Sequence, residues 1–180
     1  MPGILRLTPY DPAWPARFAA EAQRVGDALG ERALAIEHVG STSVPGRGGK
    51  PVLDLAIAVE SEAAADGCVR PLEALGYEYR GPYGEDPHRR YYVRDDEGVR
   101  VAQIHLYILP AAAWHEHLAF RDALRADPDL AAAYFAEKWR VAAEVGWNKS
   151  AYAVSKGAFV ERVLAGLRAA GRLPGGSLHG

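Results

Sequence analysis

The run Ile36-Glu37-His38-Val39-Gly40-Ser41-Thr42-Ser43-Val44-Pro45-Gly46-Arg47-Gly48-Gly49-Lys50-Pro51-Val52-Leu53-Asp54-Leu55-Ala56-Ile57-Ala58-Val59 constrains this chain more than any other stretch. An apolar strand enters Gly-Ser, a loop of hydroxyls, glycines and two cations follows, and a second apolar strand carries one carboxylate at its centre. Neither strand alternates cleanly between apolar and polar residues. That pattern predicts a sheet covered on both faces, or a central place within one. Desolvating an unpaired carboxylate costs several kcal/mol, so Asp54 is expected at the base of a cleft, hydrogen-bonded, ion-paired or metal-bound.

The loop is not a Walker A motif, because Lys50 is followed by Pro51 and the glycine spacing differs. Its residues suit a more generic anion cradle: the hydroxyls of Ser41, Thr42 and Ser43, the amides of Gly46, Gly48 and Gly49, and the cations Arg47 and Lys50. The competing reading is a solvated glycine-rich turn in which Lys50 pairs with Asp54 or a neighbour.

Punctuation along the chain predicts the remaining elements. Asp11-Pro12 reads as a cap and first turn for a helix over Pro12–Leu29, closed by Gly30. Strands follow at Ala33–Val39 and Val52–Val59, then a helix from its Ser61 cap to Leu75. A short strand at Tyr77–Arg80 and a polar loop over Gly81–His88 come next. Two strands, Arg90–Arg94 and Val99–Ile108, are joined by a turn at Asp95-Asp96-Glu97-Gly98. From Pro110 the texture becomes alanine-rich and helical, with helices over Ala111–Arg125, Pro128–Val145 and Ser150–Ala170; the second opens on Asp127-Pro128. The tail Gly171–Gly180 is expected to fray. These elements describe an α/β (α+β) domain over residues 1–170, with a mixed sheet flanked by helices in residues 1–109 and a helical C-terminal third.

Charge and cysteine content narrow the class. The 180 residues carry 21 basic against 23 acidic side chains, which gives no electrostatic footprint for nucleic acid. Cys68 is the only cysteine, so no internal disulfide is available and a reducing compartment fits; it reads as a small buried hydrophobe. The chain shows no charged leader and no run of about eighteen apolar residues, so a cytoplasmic location without membrane contact is expected.

Other polar groups carry two readings each. His115-Glu116-His117 lacks the spacing that would put two imidazoles on one helix face, and reads as solvated or capping. Arg121 either bridges helix and sheet or grips a phosphate from the cleft. Lys138, Lys149 and Lys156 lie on helices where most lysines are solvated, although Tyr152 and Lys156 share a face and place Lys156 toward the cleft. His88 to Tyr92 mix charge with aromatics, as a single-stranded nucleic-acid surface does, but an edge strand guarded by charge is the commoner arrangement.

Several of these segments together resemble the GrpB-like family over nearly the whole chain: Tyr10-Asp11-Pro12-Ala13-Trp14-Pro15, His38 to Gly46, Lys50-Pro51-Val52-Leu53-Asp54, Phe120 to Arg125, and Tyr152 with Lys156. The resemblance implies a nucleotidyltransferase-like fold and, in some bacteria, fusion to dephospho-coenzyme A kinase. Such folds place Gly-Ser at the end of one strand and two acids, one residue apart, on the next, where they hold Mg²⁺. Here Gly40-Ser41 and Asp54 match, but Ala56 stands where the second acid would be. The fold also implies a third ligand on a later strand, which points to His105; His38 is a further candidate, and nitrogen ligands would favour Zn²⁺ or Mn²⁺ over Mg²⁺. Each histidine also reads as a hydrogen-bonded core residue. Two functions follow. One is a metal-dependent nucleotidyl transferase with Asp54 and Lys50 at its centre and the Gly40–Ser43 segment, Arg47, Arg121 and Lys156 on the phosphates. The other is a non-catalytic module that binds a nucleotide or similar phosphate-bearing anion, or assists a partner protein. Ala56 argues for the second.

Overall fold

A computed structural model describes residues 7–83, 86–145 and 157–173. Helix α1 (Trp14–Leu29) and a 3-10 turn (Gly30–Arg32) precede strand β1 (Ala35–Val39), a second 3-10 turn (Ser41–Ser43) and β2 (Leu53–Val59). Then come α2 (Glu62–Ala74), β3 (Glu78–Tyr83), β4 (Asp86–Asp96), β5 (Val99–Ile108), α3 (Ala112–Ala126), α4 (Pro128–Glu144) and α5 (Gly157–Ala169). The expected mixed sheet is present. Its order is β1-β2-β5-β4-β3, with β2 and β5 parallel and every other neighbouring pair antiparallel.

Register assigns the faces. Leu55, Ile57 and Val59 of β2 pair beside Ile104, Leu106 and Ile108 of β5, and pack against Val25 and Leu29 of α1 and Ala65, Cys68 and Leu72 of α2. Cys68 is thus the buried hydrophobe expected of it. The opposite face carries Val39, Ala56, Ala58 and Tyr107 under Ala111 and Trp114, at the start of α3. Both faces of β2 are therefore covered, which is why the strand fails to alternate. On the α1 side, Glu21 ties α1 to the sheet by accepting from Tyr77 Oη at 2.6 Å, Arg24 and Arg94. Burial pushes that carboxyl up, and the bonds from Arg24 and Tyr77 more than reverse it.

Local chemistry sets the element ends. Glu97 (φ 48°) and Gly98 (φ 77°) both occupy the left-handed region, as the tight turn of a right-twisted hairpin requires. Asp127 caps α4 by accepting from the amides of Asp129 and Leu130 at 3.0 and 2.9 Å. Removing that carboxylate as Asp127→Ala should cost about 1 kcal/mol, read as a lowered urea midpoint with unchanged slope. Asp11 lies two residues ahead of the cap position, Ala13, and accepts from the Ala13 amide at 2.9 Å.

The polar loop expected over Gly81–His88 is largely strand: β3 runs to Tyr83 and β4 begins at Asp86. Gly81 at φ 84° lies within a register irregularity, and Pro82 needs no ladder donor on an edge strand. The edge strands are β1 and β3, so β4 with its Arg and Tyr residues is interior, contrary to the sequence expectation. Lys149, Tyr152, Lys156, the start of the last predicted helix and the tail beyond Leu173 fall outside the described residues. Among the described residues, no helix is long and apolar enough to cross a membrane.

Candidate functional site

The site begins where β1 stops. Gly40 takes φ 72° and ψ −171°, a conformation open essentially to glycine alone, and turns the chain into the Ser41–Ser43 turn. A Cβ at Gly40 would also stand 2.6 Å from the Asp54 carboxyl carbon, so the glycine is what lets β1 and the carboxylate meet. The loop then runs back to β2, held at both sides. Gly49 exchanges two backbone bonds of 2.8 Å with Thr8, Arg125 Nε donates to Ser43 O at 2.9 Å, and Arg47 donates to Pro128 O at 3.0 Å.

These braces correct part of the cradle expectation. Thr42 is buried, its hydroxyl shared between His38 Nε2 at 2.9 Å and Val52 O at 3.4 Å. Ser43 is buried and donates to Gly40 O at 2.7 Å. Both hydroxyls serve the loop's own shape. Ser41 is half-buried and lies against Gly49, where an added Cβ would stand 2.6 Å from its hydroxyl. Lys50 is half-buried at the loop's end.

Asp54 is buried, at 9 % exposure, on the face turned toward α3. Its Oδ1 accepts from Gln103 Nε2, and His105 Nε2 lies 3.5 Å away. Burial alone would raise this carboxyl; the bonds from His105 and then Gln103 outweigh it and hold the pKa below the ordinary carboxylate range. His105 Nδ1 lies 2.9 Å from Arg89 Nη2. A guanidinium can only donate, so Nδ1 accepts and the ring proton sits on Nε2, facing Asp54. Tyr91 completes the row by donating to Gln103 Oε1 at 2.5 Å. Farther along the face, Tyr107 Oη meets His117 Nδ1 at 2.8 Å, and the His117 ring sits edge-on to His105.

Strand register explains this convergence. Asp54 pairs with Gln103, Ala56 with His105 and Ala58 with Tyr107 across β2 and β5, while Tyr91 of β4 pairs with His105. The sequence does not single out Gln103 and Tyr107, and it offers Arg89 and Tyr91 only as part of a nucleic-acid surface or a charge-guarded edge. The alternation of Gln103, His105 and Tyr107 with Ala102, Ile104 and Leu106 was a usable signal. His117, read as solvated, in fact packs half-buried into this row.

Two other candidates are placed elsewhere. His38 pairs with Leu55, which turns it to the α1 face, where it stacks on Phe18 at 4.2 Å. It therefore does not join Asp54 and His105. Arg121 is buried and donates to Glu37 at 2.6 Å, His38 O at 3.0 Å and Asp122 at 2.8 Å. Three acceptors make it a strut between α3 and β1 rather than a cation of the cleft. Lys138, read as solvated, is 5 % exposed on the buried face of α4, with Nζ 4.8 Å from the Phe135 ring centre and 5.2 Å from that of Tyr134.

The family model described as GrpB protein matches residues 4–166. The chain belongs to the GrpB family. Among its relatives, a UPF0157 protein of Pseudomonas aeruginosa is 36 % identical over 94 % of this chain and 70 % of its own length. A dephospho-CoA kinase of Mycolicibacterium paratuberculosis is 37 % identical over 74 % of this chain but only 39 % of that protein. The crystal structure of conserved protein GrpB from Enterococcus faecalis superposes with a TM-score of 0.80 at 32 % identity, covering 91 % of this chain and 99 % of that one. Cid1 in complex with the UTP analogue UMPNPP matches at TM-score 0.52 and 13 % identity, over 82 % of this chain and 48 % of Cid1, which shows a shared nucleotidyltransferase-like fold.

Such a fold raises the question of a metal, and this GrpB chain's donors answer poorly. Asp54 Oδ1 is already engaged by Gln103 and His105, Oδ2 faces Gly40, and the position two residues on is Ala56, fully buried beside His105. Among the described residues, no group of three His, Cys, Asp or Glu side chains is disposed to hold an ion. The residues brought together do not fit a two-metal centre, which needs bridging carboxylates.

Proposed function

We propose that this GrpB-family chain binds a phosphate-bearing ligand, a nucleotide or a relative of one, where the Gly40–Lys50 loop meets the β2–β5–β4 face, without ordinary two-metal nucleotidyl transfer. One observation supports this reading above the rest. On the α1–α2 face β2 and β5 contribute Leu55, Ile57, Val59, Ala102, Ile104, Leu106 and Ile108 to an apolar core, whereas the other face gathers Asp54, Gln103, His105 and Tyr107 beside the glycine-shaped loop. A polar row of this kind is costly in a core, and a ligand site is its common reason. Ala56 argues for binding over transfer, because the acid that would share a metal with Asp54 is replaced by a methyl group against His105.

The relative named dephospho-CoA kinase makes dephospho-coenzyme A a natural first ligand beside nucleoside triphosphates. Calorimetric titration of the chain with these compounds should show saturable binding. Incubation with a labelled nucleoside triphosphate and Mg²⁺ should leave the label untransferred. Mg²⁺-dependent transfer by the wild-type chain that disappears in Asp54→Asn would overturn the reading.

A further inference from the structure

Away from the polar row, α3, α4 and α5 border an open trough of about 460 Å³. Leu130 of α4 and Phe159, Val163 and Leu167 of α5 line it, the last three at the spacing that gives a helix one apolar stripe. Leu167 is buried at the floor and the other three are half-buried, while Arg162, Gly166 and Arg172 stand exposed at the lip. We infer that this trough docks an acidic amphipathic helix of a partner protein, whose apolar stripe fills the floor while its carboxylates meet Arg162 and Arg172.

The first support is a glycine that the chain's own packing does not require. Gly166 lies inside α5, where glycine lowers helix propensity more than any residue but proline. A Cβ there would meet no atom within 4 Å. What the glycine provides is therefore open space in the trough wall, where another backbone can approach closely. The second support is charge. Gly171, at φ 67°, ends α5, and the Arg172 amide returns to Leu167 O at 2.9 Å, which folds the chain back so that Arg172 joins the lining. Arg162 Cζ lies 5.3 Å from the centre of the Phe159 ring. Among the described residues, neither guanidinium has a salt-bridge partner. Asp127, the one carboxylate on the lining, is engaged by the amides of Asp129 and Leu130, and Glu137 of α4 is held by Arg140 at 2.6 and 2.8 Å. Two unmatched cations at the edge of an apolar floor are complementary to an acidic helix. A second copy of this chain fits less well, because a two-fold contact sets like patch on like and would bring these arginines against their own equivalents. A small molecule would remain largely wet in a trough with so exposed a lip, whereas ligand pockets enclose most of their ligand.

The test is fluorescence anisotropy of the full chain with a labelled peptide of about 18 residues, leucines at i, i+3, i+4 and i+7 spacing on one face and glutamates beside them. Binding should be saturable and should weaken as salt rises to about 0.15 M; the same peptide with lysines for the glutamates should bind at least about tenfold more weakly. Gly166→Leu occupies open space, so it should melt as the wild type does while weakening the glutamate peptide by about tenfold or more. The double reversal Arg162→Glu with Arg172→Glu should weaken it as much and favour the lysine peptide. Should Gly166→Leu not fold, the double reversal carries the test, and unchanged affinity there would overturn the inference. Absence of saturable binding by the glutamate peptide, equal affinity for the two peptides, or wild-type affinity in folded Gly166→Leu would overturn it too. So would a dimer of the chain alone, seen by sedimentation and lost in Gly166→Leu, which would assign the trough to a second copy.

Discussion

Gly40→Ala should destabilise the protein by about 3–5 kcal/mol. Two costs add. The backbone at φ 72° and ψ −171° belongs to a region that side chains other than hydrogen enter only under strain, about 1–3 kcal/mol. The new methyl would also stand 2.6 Å from the Asp54 carboxyl carbon and 2.8 Å from its Cβ, in a layer already pinned by Gln103 and His105. Chemical denaturation reads the loss. The steric part is separable, because Gly40→Ala made in an Asp54→Ala background should cost about 1–3 kcal/mol less than in the wild type. Equal costs in the two backgrounds would show that the carboxylate is not what Gly40 makes room for.

Acid should weaken the fold in a pH window that His38 defines. Burial first, with the nearby Arg125 and Arg121 charges, depresses this imidazole from 6.5 to about 4, so it is neutral in the folded state at neutral pH. The unfolded chain takes up the proton at a higher pH than the folded chain does, so stability falls as pH drops from about 6.5 to about 4 and levels below that. A shift of this size on a buried ring corresponds to a loss of about 3 kcal/mol. Asp54 adds a second, lower step: its depressed carboxyl stabilises the fold above the ordinary carboxylate value and loses that contribution as pH falls toward its own folded pKa. Denaturation curves at successive pH values would show both. His38→Gln keeps a polar partner for Thr42 but cannot titrate, so it should remove the upper step; a slope unchanged by that substitution would contradict the assignment.

Much of the framework was legible because its signals are local. Asp127-Pro128 announced the start of α4 through an Asx cap, Glu97-Gly98 the β4–β5 turn through two left-handed residues, and the uniform apolarity of β2 its coverage on both faces. A lone Asp in such a strand could be expected to find polar partners, since the penalty for leaving it unpaired does not depend on fold detail. Which partners it found depended on register, and register is a long-range property. Periodicity of two says that Asp54 and Ala56 share a face, as do His38 and Gly40, but not which face of β1 meets which face of β2. Pairing His38 with Leu55 sent His38 to α1, while pairing Asp54 with Gln103 and Ala56 with His105 built the polar row. The same limit applied to the helices. Lys138 looks like a surface residue in a window of sequence, and Arg121 reads equally as a helix–sheet bridge or a cleft cation; only the packing of α3 and α4 against β1 and the loop made the first a buried cation beside Ser41 and the second a strut on Glu37. The sequence by itself determined most of the elements and the caps at Ser61 and Asp127; the tertiary structure decided which side chains surround Asp54, the approach of Gly40 included, because strand register and helix docking are set by contacts between residues far apart in the chain.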